Sequence, residues 1–198
     1  MALGLDLLYV SDLHLRAGLP MRLEAQVIEA AQQSRPDHIL LGGDLVDSAS
    51  GLGRLADLVA NLARLAPVGA VAGNHDRMVG KERVRQVVCE AGANWLEDGG
   101  DGLISGRPEK GATVLCAHDP AVIEFVPPTT RLVLAGHLHG GQMVLAERAG
   151  KLYPGAFFYR WNGLRFERGP TTMLVSRGVT DTLPLRYNCP REVLLVKL

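Results

Sequence analysis

The stretch "LDLLYVSDLHL", residues 5–15, carries an apolar run that breaks abruptly into Ser11, Asp12, Leu13 and His14. A short apolar run closed by a polar loop reads as a buried strand. The same transition recurs along the chain. "ILL" runs into Gly42-Gly43-Asp44, "AVA" into Gly73-Asn74-His75-Asp76, "VLC" into Ala117-His118-Asp119 and "LVLA" into Gly136-His137-Leu138-His139. Strands are expected at 5–10, 38–41, 67–73, 112–116, 131–136, 172–176 and 192–198. Amphipathic helices are expected around 21–33, on Leu23, Val27 and Ala30, and at 52–65, on Leu55, Leu58, Val59, Leu62 and Leu65. A third helix, about 80–91, uses Val84, Val87, Val88 and Ala91, with Gly92 as its C-cap. The helical signal fades after residue 110. A βαβ first half followed by a β-rich second half predicts an α/β sandwich, built on a mixed sheet or two packed sheets with helices outside.

At 198 residues the chain suits one domain, 1–198, able to bury a core without disulfides or structural zinc. Its formal net charge is zero and no Lys/Arg stripe forms, which argues against a protein that coats nucleic acid or an anionic membrane. Cys89, Cys116 and Cys189 are odd in number and lack CxxC spacing, so a reducing compartment and a cytoplasmic location are expected. "MALGLDLLYV" has no basic leading region and no cleavage site, and is too short to span a bilayer; it reads as a first strand. No internal repeat, low-complexity tract or linker interrupts the chain.

Five strands that each end in Asp, Asn or His bring those side chains to one sheet edge, where open α/β folds bind ligands. Each loop has an ordinary explanation when taken alone: Gly-Gly-Asp is a common turn, and Asn-His-Asp can cap the next helix. Capping does not call for histidine, yet five of the six histidines fall in these loops. A metal centre is the joint reading. Asp12, His14, Asp44, Asn74, His118, His137 and His139 supply more donors than one ion takes while leaving a position open for substrate. Two divalent ions about 3.5–4 Å apart, bridged by one carboxylate, use them all. Imidazole and carboxylate without thiolate suit Mn, the preferred metal, or Fe, Zn, Co or Ni. Two carboxylates offset half the charge of two such ions, so the centre is expected to bind hydroxide and an anionic phosphate ester. His137 and His139 are one residue apart, with Gly140 and Gly141 allowing a sharp turn beside them.

Asp12-x-His14, Gly43-Asp44-x-x-Asp47, Gly73-Asn74-His75-Asp76, His118 and Gly136-His137-x-His139, in that order, resemble the signature of the calcineurin-like metallophosphoesterases. The resemblance implies a four-layer αββα sandwich of two mixed β-sheets flanked by helices. It assigns Asp12, His14, Asp44 and His139 to one metal and Asp44, Asn74, His118 and His137 to the second, with Asp44 as the bridge. It makes His75 the group that contacts the phosphoryl and protonates the leaving oxygen. Asp76 is then expected to orient His75, and Asp47 to support the site from behind the ligands. "LYPGAFFYRWNG" and "SRGVTDTLPLRYNCPREVLLVKL" resemble the tail of the bacterial YaeI/YkuE-type phosphodiesterases, a group similar to some UDP-diacylglucosamine hydrolases. Relatives of that type commonly carry an N-terminal membrane segment or export signal, whereas this chain begins almost at its first strand.

The expectation is a hydrolase that cleaves phosphodiester or pyrophosphate bonds by attack of a metal-bridging hydroxide, with His75 assisting the leaving group. Its substrate is expected to be a small phosphate ester, nucleotide-linked or lipid-linked. A phosphomonoesterase or nucleotide hydrolase using the same site is the alternative. A DNA nuclease lacks support from the neutral charge and short chain, and a non-catalytic scaffold lacks support because the ligand set is complete. No stable nucleic-acid complex and no transmembrane segment are expected, with peripheral membrane association left open. The aromatics Tyr153, Phe157, Phe158, Tyr159 and Trp161 read as a hairpin packed on the second sheet, or as an apolar lip beside the metals. Arg177 reads as a phosphate ligand or a salt-bridge partner, and His38 as structural.

Overall fold

A computed structural model describes residues 4–20, 22–181 and 185–198. The first half alternates strand and helix: β1 (Asp6–Val10), α1 (Arg22–Ser34), β2 (His38–Leu41), α2 (Leu52–Ala63), β3 (Val68–Ala70), α3 (Asn74–Glu90) and β4 (Asn94–Trp95). The second half is mostly strands: β5 (Ile104–Ser105), β6 (Val114–Cys116), β7 (Leu132–Ala135), β8 (Ala146–Arg148), β9 (Lys151–Tyr153), β10 (Arg165–Arg168), β11 (Thr171–Val175) and β12 (Leu194–Lys197). They form two five-stranded sheets, ordered β12-β1-β2-β3-β4 and β10-β11-β7-β6-β5, and a separate β8-β9 hairpin. Each large sheet is parallel except for one antiparallel edge strand, β12 in the first and β10 in the second.

Side-chain alternation along the strands builds the layers. Leu8, Val10, Ile39 and Leu41 turn outward to meet Leu55, Leu58 and Leu62 of α2 and Val84 and Val88 of α3. Leu7, Tyr9 and Leu40 turn inward and pack against Val114, Cys116, Leu132 and Leu134 of the second sheet. Leu115, Val133 and Met173 face the far side, under Ile123 and Trp161. The structure is therefore a four-layer sandwich of two mixed sheets. Its fourth layer is thin: among the described residues a 3-10 turn, Pro120–Glu124, and the aromatic segment cover the second sheet in place of the expected flanking α-helices. The loss of helical periodicity after residue 110 has that physical meaning.

Every expected strand is present: 38–41 has the expected bounds, 172–176 is shifted by one residue, and the other five are shorter by one to four residues. The two-residue strands β4 and β5, the β8-β9 hairpin and β10 were beyond the reach of periodicity. Of the helix expected at 21–33, residue 21 lies outside the described residues, as do 182–184 of the tail motif. The helical stripe of α1 runs through Val27 and Ala31 rather than Ala30. Leu65, expected on α2, lies past its end and is exposed. Helix α3 begins six residues earlier than expected, because Asn74–Val79 form a first helical segment that is broken from the rest at Gly80, φ 118° and ψ 96°. Gly92, at φ 101°, follows the C-cap residue Ala91 in the left-handed geometry that closes a helix. Among the described residues no helix is long and apolar enough to cross a membrane.

Candidate metal centre

The C-terminal ends of β1, β2 and β3 and those of β6 and β7 meet at one edge of the sandwich, so the five loops converge from both sheets. Three donor groups lie there among the described residues, Asp12–His14–His139, Asp44–His118–His137 and, sharing His14 with the first, His14–Asp47–His75. In the first, His14 Nε2 is 3.1 Å from His139 Nε2, and His139 Nε2 is 3.6 Å from Asp12 Oδ1. In the second, His118 Nε2 is 3.1 Å from both His137 Nδ1 and Asn74 Oδ1. Asp44 Oδ2 stands between the groups, 3.8 Å from His14 Nε2 and 3.3 Å from His118 Nε2. All seven sequence-expected donors are thus brought together.

The chemistry of these donors fits divalent ions. Ligands about 2.1 Å from a common ion lie roughly 2.9–3.4 Å apart at octahedral or tetrahedral angles, close to the spacings here. The tautomers agree. His14 Nδ1 meets Asp47 Oδ1 at 2.5 Å, His139 Nδ1 donates to Thr180 O at 3.0 Å, and His118 Nδ1 donates to Gly42 O at 2.9 Å. With those protons directed at oxygen, the Nε2 lone pairs of His14 and His139 face each other, an arrangement that a shared cation stabilises. Burial works against an ionised Asp44, but His118, the His75 N–H and His14 outweigh it and hold the carboxyl at about 2. Burial likewise works against charge on His118, and Asp44 and Asp12 outweigh it, raising that imidazole to about 9. Burial is the leading cause that lowers both His137 and His139.

Backbone geometry sets the aim of these side chains. Asp12, His14, Asp44, His137 and His139 have φ of 57°, 46°, 51°, 75° and 49°. Left-handed backbone at non-glycine residues is uncommon and clusters at functional sites. Gly73 allows the β2 and β3 loops to touch: a Cβ there would fall 2.0 Å from Asp44 Oδ1. Across the sandwich, the His137 N–H donates to Asp12 Oδ1 at 3.1 Å, which ties the β7 loop to the β1 loop.

His75 stands against His14, ring centroids 4.7 Å apart, with its Nδ1 2.9 Å from Asp47 Oδ1. The carboxylate beside His75 is therefore that of Asp47, not Asp76. Asp76 is fully buried, and its oxygens accept from the N–H groups of Leu45, Val46 and Gly73. It occupies the third position of its helix, from which a carboxylate reaches back to the N-cap amide. Asp47 itself is held by Arg16, whose Nη1 donates to Oδ2 at 2.5 Å.

Sequence reasoning missed Thr180, Asp181 and Arg16. Thr180 accepts the His139 Nδ1 proton and donates its hydroxyl to Asp12 O and Leu13 O. Asp181 Oδ1 lies 3.7 Å from His139 Nδ1 and takes Arg186 Nε at 2.5 Å. The available signal was positional, since the loop after β11 is a sixth strand end, though one without histidine. The aromatic stretch divides. Trp161 is buried on the second sheet; Tyr159 lies 6.4 Å from His137, ring to ring, and donates to Asp119; Phe157 and Phe158 are exposed. Arg177 pairs with Glu192, which bears out its salt-bridge reading.

A sandwich with donor-bearing strand ends gathered at one edge defines a class of metal-dependent phosphoesterases, and the chain belongs to one such family. Residues 5–141 match the profile of the calcineurin-like phosphoesterases. Among individual proteins it is similar to Phosphodiesterase YaeI of Escherichia coli (strain K12), 29% identical over 223 residues that cover 97% of this chain and 81% of that one. It is also similar to YkuE, an uncharacterized metallophosphoesterase of Bacillus subtilis (strain 168), 26% identical over 98% of this chain and 79% of that protein. The crystal structure of Pseudomonas putida nuclease MPE has the same fold, with a TM-score of 0.51 and 18% identity, over 96% of this chain and 82% of the nuclease.

Proposed function

We propose that this protein is a phosphodiesterase that works with two divalent ions, Mn²⁺ preferred over Fe, Zn, Co or Ni. The observation that carries the reading is Asp44 Oδ2, set between His14 and His118 with a complete donor group on either side. Asp12, His14, Asp44 and His139 are assigned to one ion, and Asp44, Asn74, His118 and His137 to the other. When bound, the ions supply Lewis-acid polarisation of the phosphoryl group and a hydroxide near neutral pH. The remaining work falls to side chains. Asn74 turns its carbonyl oxygen toward His118, which leaves its amide N–H for a phosphoryl oxygen on which charge develops. His75, anchored through Nδ1 on Asp47, presents Nε2 as the proton donor to the leaving oxygen, and the Asp47 carboxylate stabilises the imidazolium that precedes that transfer. The preference for a diester is supported by the likeness to Phosphodiesterase YaeI. The free thiols Cys89, Cys116 and Cys189 support a reducing, cytoplasmic setting.

Mn-loaded protein is expected to hydrolyse bis(p-nitrophenyl) phosphate. His75→Ala is expected to keep near-normal metal content, read by elemental analysis, while losing about 10²–10⁴ in turnover. Asp44→Ala is expected to lose both ions. Absence of turnover with all five metals would overturn the enzymatic reading, and loss of metal from His75→Ala would overturn the role given to His75.

A further inference from the structure

A cleft of about 300 Å³ opens beside the donors Asn74, His118 and His137. Asn74, His118 and His137 form its inner end, Val71, Ala72 and Val122 its apolar walls, and Arg77 and Glu97 its outer rim. It lies between the two sheets, and its volume sits at the small end of the range for ligand pockets, about 300–1,000 Å³, which is room for one ring and its linker. The rim is polar but loosely closed. Glu97 is anchored by the Ala72 N–H and by Lys81, whereas Arg77 is half exposed and 3.5 Å from Glu97, a weak pair that an incoming group can displace.

The cleft is lined by His118 and His137, whereas His75 stands against His14, and the Asp44 carboxylate reaches both His14 and His118. The neighbours Asn74 and His75 diverge: Asn74 Oδ1 goes to His118, and His75 Nδ1 goes to Asp47 beside His14. A leaving oxygen protonated by His75 therefore departs from the Asp47 side. What enters the cleft is the substituent that stays on phosphorus. We propose that the cleft between the sheets is the subsite for the retained ester group of a phosphodiester, and that it selects a ring-sized group there. A monoester has no group to place in it. The inference rests on the phosphodiesterase reading above.

Bis(p-nitrophenyl) phosphate and methyl p-nitrophenyl phosphate lose the same p-nitrophenolate and differ only in the retained group, so comparing variants on this pair cancels the chemistry at His75. Val122→Trp, which fills the cleft, is expected to lower kcat/KM for the bis-aryl ester at least tenfold and to leave the methyl ester within twofold. Val122→Phe gives a smaller change in the same direction and carries the test if the tryptophan variant does not fold. Calorimetric titration of the metal-loaded protein with diphenyl and dimethyl phosphate reads the same selection without turnover: wild type is expected to favour diphenyl phosphate at least tenfold, and the variants to lose that preference. Equal losses on both esters, no loss on either, or no aryl preference in binding overturns the subsite. No turnover of either ester by wild type, with the aryl preference intact, overturns the phosphodiesterase reading and with it the retained-ester assignment, and leaves the cleft as an aryl-binding site beside the donors.

Discussion

Replacing Asp76 by Asn separates a buried clamp from a catalytic partner. Asp76 Oδ1 accepts from Leu45 N at 2.9 Å and Val46 N at 3.0 Å, while Oδ2 accepts from Gly73 N at 2.8 Å. The carboxylate thus ties the loop that bears Asp44 to the loop that bears Asn74. An amide in this position has one accepting oxygen. If that oxygen keeps Leu45 and Val46, the new NH₂ faces the Gly73 N–H donor to donor. One charge-assisted bond is lost, about 1.5–3 kcal/mol, and one buried N–H is left unmade, about 1–3 kcal/mol. Destabilisation of roughly 2.5–6 kcal/mol is expected, a large part of a typical domain's 5–15 kcal/mol. At about 2–4 °C per kcal/mol for a chain of this size, Tm is expected to fall by roughly 5–24 °C. Urea denaturation and a thermal scan on chelated protein would measure the change free of metal effects. Wild-type stability in Asp76→Asn would refute the clamp. Unchanged stability and metal content with lost turnover would return Asp76 to the role beside His75 that the family resemblance implies.

The Asp47 carboxylate faces two imidazoles through one oxygen, so Asp47→Asn is expected to act twice. It should weaken metal binding at the His14 side by about 10–100-fold, read by chelator competition. It should also lower turnover at saturating metal by about 10²–10³, less than the full effect of His75→Ala. Wild-type kcat at saturating metal would exclude Asp47 as the support of His75. Gly73→Ala would place a methyl 2.0 Å from Asp44 Oδ1. It is expected to deplete both ions while far-UV circular dichroism keeps its wild-type shape, and full metal content in that variant would show that the Asp44 carboxylate needs no such clearance.

The parts of this molecule legible in the sequence are those encoded locally. Apolar runs such as "ILL" and "LVLA" declare buried strands, and the polar residues that close them declare a shared edge. Partition of the strands into two sheets is not local. Residues of β2 are buried on both faces, Ile39 and Leu41 under the helices and Leu40 against the other sheet, so no alternation tells which neighbour each face meets. The place of Asp47 rather than Asp76 beside His75 has a similar origin. Adjacency to His75 favours Asp76, but in a helical turn successive side chains diverge by about 100°, and the carboxylate that reaches His75 arrives from the β2 loop.

Least legible of all was the backbone conformation. Five donor residues, Asp12, His14, Asp44, His137 and His139, adopt left-handed φ without being glycine. Each such residue costs about 1 kcal/mol or more, so the loops together store roughly 5 kcal/mol or more. Asp and His tolerate this region better than most residues. Bonds between loops hold the strain: the Asp12 N–H donates to Gly43 O at 3.0 Å, the His14 N–H to Asp44 O at 2.9 Å, and the Thr180 N–H to Asp12 O at 3.0 Å. These bonds link the β1 loop to the β2 loop and to the loop after β11. The donors therefore owe their aim to the sandwich as a whole, and a loop excised from it has no reason to keep that conformation. Residue type at a strand end can announce a metal centre, but only two sheets packed face to face, with their strand ends at a common edge, can hold five strained residues on one point.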